Sequence, residues 1–221
     1  MRSLADNQET LHNYARTTGR IRSEPLRIKA LRIQRKPRVV LAADQMGAFL
    51  EAVKCSTASQ HVRLMILLMV GLGLRENEVR GMRWEWLDVR RRTYVVGRAK
   101  GKEARVLPIP EWLWNALEAH PHVSEEWIFP AKDGKPHRAQ VTKKALAKVA
   151  ETLKLPRLTA HRLRATFASL HALAGTPATE IQAMLGHKSL STTMIYLEHN
   201  QDVRRRAQDA LWDGLGMDGH S

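Results

Sequence analysis

The chain has 221 residues, 43% of them hydrophobic, which suits one good-sized domain, or a domain plus a short appendage, and argues against wholesale disorder. Its 36 Lys and Arg against 22 Asp and Glu give a formal net charge of +14, which predicts a polyanionic partner: nucleic acid first, an anionic membrane surface second. One cysteine, Cys55, excludes an intramolecular disulfide and a cysteine-based zinc cluster; the opening MRSLADNQET has no signal-peptide core, and the longest apolar run, Leu64 to Val70, falls far short of the ~18 residues of a membrane span, so a soluble protein of a reducing compartment is expected.

Two stretches carry most of the charge. Residues 1–40 hold ten basic and three acidic residues, and residues 75–105 hold ten and five. The first stretch has a weak helical pattern from Ala5 to Arg16, then basic extended sequence to Arg38. It reads either as a solvated tail or as an arm whose Lys and Arg neutralise phosphates and release counterions. Asp44 to Lys54 carries Met46, Phe49, Leu50 and Val53 at helical spacing. Ala58 to Val70 reads as an apolar helix stopped by Gly71 and Gly73, and Glu76 to Met82 as a short helix. The period then changes. Leu87 to Val96 reads as short strands, Gly97 to Glu103 as a basic turn, and Arg105 to Ile109 as a returning strand ended by Pro108 and Pro110. Helices are expected over Glu111 to His120, Gln140 to Leu153, Thr159 to Ala174, Pro177 to Leu185, Ser191 to Glu198 and Asp202 to Trp212. There is no internal repeat. The expected fold is mainly α with a small antiparallel β-sheet, an α+β arrangement.

Several residues are candidates for chemistry. Arg75 follows Gly-Leu-Gly-Leu, and Glu78 stands three residues on, on the same helix face; alone, the two read as a surface ion pair. His161 and Arg164 share a face at i and i+3 in a helix that Thr159 can cap. An imidazole and a guanidinium at a helix N-terminus suit an anion, and an ordinary exposed helix explains them equally well. His187 lies at a turn between two helices, and nine residues later Tyr196 sits among Met194, Ile195 and Leu197, where a core tyrosine is the default reading. Lys100 and Lys102 lie in the hairpin turn, where solvated lysines are expected.

In combination these residues resemble the catalytic domain of the tyrosine recombinase (phage integrase) family. The resemblance rests on GLGLRENEV, GRAKGKEARVLPIP, LTAHRLRATFAS and LGHKSLSTTMIYLEH, in that order, and covers about residues 38–200. It implies that Arg75 and Arg164 clamp a phosphate, that His161 takes the nucleophile's proton, and that His187 hydrogen-bonds the scissile phosphate. It further implies that Lys100, rather than Lys102, is the hairpin lysine, that Tyr196 is the nucleophile and that Glu78 orders the site. No position departs from the family's pattern. The implied reaction is tyrosine attack on a DNA phosphodiester, a 3′-phosphotyrosine intermediate, and religation by a 5′-hydroxyl without ATP.

The residue types fit that chemistry. The transition state gathers negative charge on non-bridging oxygens, which planar guanidinium groups match bidentately. A phenol with a pKa of about 10 needs a base, and imidazole suits neutral pH. There is no carboxylate pair and no Cys/His ligand set, so neither metal nor cofactor is expected; His120 and His122, flanking Pro121, read as structural or exposed.

Three segments follow from the resemblance: residues 1–39 as a basic arm, the remnant or linker of a core-binding domain; 40–200 as the catalytic domain; and 201–221 as an amphipathic C-terminal helix and tail. The short N-terminal part is expected either from truncation or from a naturally short form. Double-stranded DNA is the expected partner, with self-association as a tetramer on two duplexes through the C-terminal helix, accessory DNA-bending proteins, and a cytoplasmic, nucleoid-associated location. The alternatives are a topoisomerase-like enzyme, a non-catalytic DNA-binding protein on the same fold, and a basic membrane-surface protein.

Overall fold

The computed structural model describes residues 4–21, 40–97, 104–187, 189–190 and 193–194. The chain divides into two compact units, Met1–Pro37 and Arg38–Ser221. In the first, the weak pattern of the arm forms a helix, α1 (Leu4–Thr17). Hydroxyls close its end: Thr17 Oγ1 donates to Asn13 O at 2.8 Å and Thr18 Oγ1 to Tyr14 O at 2.9 Å. The extended basic sequence over 22–39 lies outside the described residues.

The second unit is built around α3 (Gln60–Leu72). Leu64 to Val70 are all buried, so this helix is apolar on every side and must be enclosed by others. Those are α2 (Met46–Lys54), α4 (Glu76–Arg80), α5 (Glu111–Glu118), α6 (Lys143–Thr152) and α7 (Ala160–Leu173), all of which pack on it. Ser59 caps its start, with Oγ accepting from Val62 N at 3.4 Å. Its end corrects the sequence expectation. Gly71 lies inside the helix, and Gly73 alone stops it, at φ 63 in the left-handed region. The main core continues over Tyr94, Leu107, Trp114, Ile128, Phe129 and Leu146. A second cluster joins α7 to α8 (Ala178–Leu185) through Phe167, Ala168, Ile181 and Leu185.

The sheet is antiparallel, in the order β1 (Leu87–Asp88), β2 (Thr93–Val96), β3 (Arg105–Pro108). Tyr94 pairs with Leu107 and Val96 with Arg105. Tyr94, Val96 and Leu107 are buried and Val106 is exposed, so one face covers the core. The hairpin tip over 98–103 lies outside the described residues. A second correction falls at α6, expected from Gln140 but starting at Lys143. Gln140 has φ 64, which no right-handed helix accommodates. Its N–H goes instead to the Glu76 carboxylate, which also takes the N–H and Oγ1 of Thr142. This ties α4 to the entrance of α6. Of the helix expected over Ser191 to Glu198 only residues 193–194 are described, and they are helical; the helix expected over Asp202 to Trp212 lies outside the described residues.

Candidate active site

Gly73 starts the site. Its left-handed turn sends the chain through buried Leu74 and leaves Arg75 as the N-cap of α4, with 47% of its side chain exposed. Glu78 sits at the third position of α4, where a carboxylate reaches back to the cap. Glu78 Oε2 accepts from Arg75 N at 2.8 Å, and Oε1 accepts from Arg75 Nη1 at 2.8 Å. The ion pair expected from the i, i+3 spacing is therefore present, and Glu78 is more than half of a surface pair.

Two further guanidinium groups reach the same carboxylate from far along the chain. Arg105, the first residue of β3, donates Nη2 to Oε2 at 2.8 Å and Nη1 to Oε1 at 3.2 Å. Arg164 brings Nη1 to 4.0 Å from Oε2. Burial of Glu78 works to raise its pKa, but the hydrogen bonds from Arg105 and Arg75 and the charge of Arg105 outweigh it and hold the carboxyl below its ordinary 4.5. Glu78 is an anion that orders three cations.

Arg164 comes from α7, whose first turn Thr159 caps by accepting from Arg162 N at 3.2 Å, as the sequence predicts. Only 4% of the Arg164 side chain is exposed. It donates to two main-chain carbonyls, Gly73 O at the end of α3 and Leu185 O at the end of α8. His161, three residues earlier, stands on the exposed first turn of α7. After Leu185 the chain turns at Gly186, φ 60, and His187 follows. A Cβ on Gly186 would lie 2.7 Å from Arg105 Nη1, so the guanidinium of Arg105 rests directly on this turn. Gln182 Nε2 donates to His187 O at 3.0 Å, and the His187 Nδ1 lies 3.0 Å from the hydroxyl of buried Thr193, which orients the ring.

The structure thus brings together Arg75, Glu78 and Arg164, and links them to the turn that carries His187. Lys100, Lys102 and Tyr196 lie outside the described residues. The chain has three tyrosines. Tyr94 is fully buried, and burial first, then the charge of Glu78, pushes its phenol above the ordinary value of 10, which makes it a poor nucleophile. Tyr14 belongs to the N-terminal unit.

Sequence reasoning missed Arg105. A signal for it exists. Arg105 and Leu107 stand two apart on β3, hence on one face, and Leu107 faces the core. A guanidinium on a core-facing position demands a buried counter-charge. Buried His120 packs on His61 and Phe129 with ring centroids 4.8 and 5.2 Å away, while His122 is exposed and stacks on Trp84. Among the described residues no group of three or more His, Cys, Asp or Glu could hold a metal ion, and no helix is long and apolar enough to cross a membrane.

Residues 39–202 match the phage integrase family. The tyrosine recombinase XerA of Thermococcus kodakarensis is 29% identical over 216 residues, which cover 94% of this chain and 74% of that protein. XerA of Thermococcus onnurineus is 32% identical over 162 residues, covering 69% of this chain and 57% of its own length. Among solved structures, the Tn1549 transposon integrase in complex with a circular intermediate DNA superimposes with a TM-score of 0.76 at 20% identity, over 93% of this chain and 77% of that one. That likeness bears out the mainly helical fold with its small antiparallel sheet.

Proposed function

Since the chain belongs to the phage integrase family, we propose that it cleaves and rejoins DNA strands in site-specific recombination, with Tyr196 as nucleophile. The phenolate oxygen of Tyr196 attacks the scissile phosphorus. The P–O5′ bond breaks, a 3′-phosphotyrosine forms, and the 5′-oxygen leaves as a hydroxyl. Attack by another 5′-hydroxyl reverses the step on a new strand, so the bond energy is conserved in the covalent intermediate. In this reading His161 accepts the phenol's proton, Lys100 gives a proton to the leaving oxygen, and His187 donates to a non-bridging oxygen.

One observation carries the reading: Arg75 and Arg164 converge on Glu78, with Arg105 bridging from that carboxylate to the turn before His187. A preorganised cationic cluster facing the charge that develops in a phosphoryl transition state is usually the largest catalytic contribution, about 2.7–4 kcal/mol per donor in one well-studied case. Tyr94 is unsuited to attack for the reasons above. The named relatives are recombinases, which favours strand exchange over simple relaxation. Double-stranded DNA as substrate agrees with the net charge of +14 and with the DNA bound to the Tn1549 integrase. The division into an arm over 1–39, a catalytic domain over 40–200 and a C-terminal segment over 201–221, tetramer assembly through that segment, and accessory DNA-bending proteins belong to the same reading, as does a nucleoid-associated location.

The test is a covalent trap. Duplexes selected by binding from a randomised pool are remade with one nick at successive positions, so that the short strand released by cleavage diffuses away. The full chain forming an adduct that survives denaturation, absent with Tyr196→Phe, supports the proposal. Bound DNA with no adduct at any nick, or an adduct undiminished in Tyr196→Phe, overturns it.

A further inference from the structure

We propose that Arg105 is a positioning residue of the cleavage site: it locks the Glu78 carboxylate and the Gly186 turn into one arrangement, and so sets where Arg75, Arg164 and His187 stand. This rests on the DNA-cleavage reading.

The argument begins with the strand. Arg105 opens β3 on the side that faces the core, and only 15% of its side chain is exposed. A guanidinium there is stable only with a matched anion. Glu78 is that anion, and both of its oxygens are engaged by the two terminal nitrogens of Arg105. The planar fork matches the planar carboxylate; an ammonium would reach one oxygen and leave the other to swing.

Charge gives the arrangement its purpose. Glu78 lies 2.8 Å from Arg75 and 4.0 Å from Arg164, the two guanidinium groups assigned to the phosphate. A carboxylate held only by those two would draw them inward and offset their charge. With Arg105 on both oxygens, Glu78 is already neutralised and still aligns Arg75 through the main-chain N–H. Three guanidinium groups around one carboxylate leave a net +2 for the substrate.

Geometry adds the third partner. Arg105 Nη1 lies only 2.7 Å from where a Cβ of residue 186 would stand, so this close seat exists because residue 186 is glycine. Arg164 holds the carbonyl of Leu185, the residue before. The turn that delivers His187 is thus hydrogen-bonded at Leu185 by Arg164 and closely approached at Gly186 by Arg105. One side chain on a hairpin strand connects the first arginine of the site to its last histidine.

The experiment compares wild type, Arg105→Lys, Glu78→Gln and the double variant. It reads DNA affinity, melting temperature and the single-turnover rate of adduct formation, on the natural scissile phosphate and on a neutral methylphosphonate at the same position. Arg105→Lys is expected to keep DNA affinity and melting close to wild type and to lose cleavage by roughly 10- to 100-fold, the scale on which misplaced catalytic groups slow a reaction. On the methylphosphonate, where there is less charge to match, the ratio of wild type to variant is expected to shrink. The double variant should be no slower than the slower single one. A wild-type rate in Arg105→Lys, or the same loss on both substrates, overturns the proposal. If wild type binds DNA without forming an adduct, the cleavage reading fails, and a ¹³C NMR titration of Glu78 judges Arg105 instead. Arg105→Lys raising the Glu78 pKa towards 4.5 supports the lock, and no change overturns it.

Discussion

Arg164 donates to the carbonyl oxygen of Gly73, ninety-one residues earlier in the chain, and thereby fastens α7 to the left-handed turn that ends α3. With its second bond to Leu185 O, this guanidinium holds three helices at once. The same side chain is assigned to the phosphate, so structure and chemistry share one residue.

That sharing separates the two arginines by experiment. Arg164→Ala strands buried carbonyls and leaves a void, at a cost of about 2–4 kcal/mol, or roughly 5–15 °C in melting temperature for a chain of this size. Arg75 is half exposed, and its ion pair contributes about 1 kcal/mol or less. Arg75→Ala is therefore expected to melt close to wild type while adduct formation falls roughly 100- to 1000-fold. Calorimetry beside the covalent trap checks both; equal melting losses in the two variants would refute the distinction.

Gly73→Ala tests the turn itself. Gly73 has φ 63, and an added Cβ would lie 2.5 Å from Phe167 Cδ1 and 2.8 Å from Leu185 Cδ2. Backbone strain of about 1–2 kcal/mol adds to overpacking of about 1–3 kcal/mol. Urea denaturation should show a loss of roughly 2–5 kcal/mol on those figures. Gly47→Ala, where a Cβ meets nothing within 4 Å on an exposed helix face, is expected to be neutral or slightly stabilising.

Glu78 makes part of the stability acid-sensitive. Its folded pKa lies below 4.5, despite burial, because Arg105 and Arg75 favour the ionised form. A depressed carboxylate adds stability that is fully present above its unfolded pKa and is lost as pH falls through the folded value. The melting advantage of wild type over Glu78→Gln should accordingly be constant above pH 5 and shrink below about 4.5. A gap independent of pH across that range would show that the carboxylate's charge is not what Glu78 contributes.

A second acid response comes from the cluster of His61, His120 and His137. Burial, and then the charge of His61, lowers the pKa of His120 from 6.5 to about 4. His61 and His137, which pack in the same cluster, are lowered chiefly by burial as well. Nearby Asp133 works in the opposite direction on His137. Because the unfolded chain takes up these protons first, stability is expected to fall as pH drops from 6.5 towards 4. His120→Leu should flatten the melting curve against pH in that window, and an unaltered slope would assign the effect elsewhere.

Much of the fold was legible from local pattern. Apolar spacing located α2, the apolar run located α3, the expected helices α5 and α8 lie within a few residues of where they were read, and the change of period located the sheet. The misreadings were at glycines and at an unusual backbone: Gly71 is tolerated inside α3 because Trp112 and Leu113 crowd it, and Gln140 turns left-handed to reach Glu76. Neither contact has a trace in neighbouring sequence.

The sequence by itself determined the residue types for phosphate chemistry, their order along the chain, and the family to which the chain belongs. Only the tertiary structure decided that Arg75, Arg105 and Arg164 meet at one carboxylate, that Arg164 is buried against main-chain carbonyls, and that a missing side chain at Gly186 makes room for Arg105. The reason is physical. Periodicity encodes which face of an element is apolar, because burial there is settled within a few residues. A charge cluster is settled by which distant elements pack together, and that follows from the shape of the whole core.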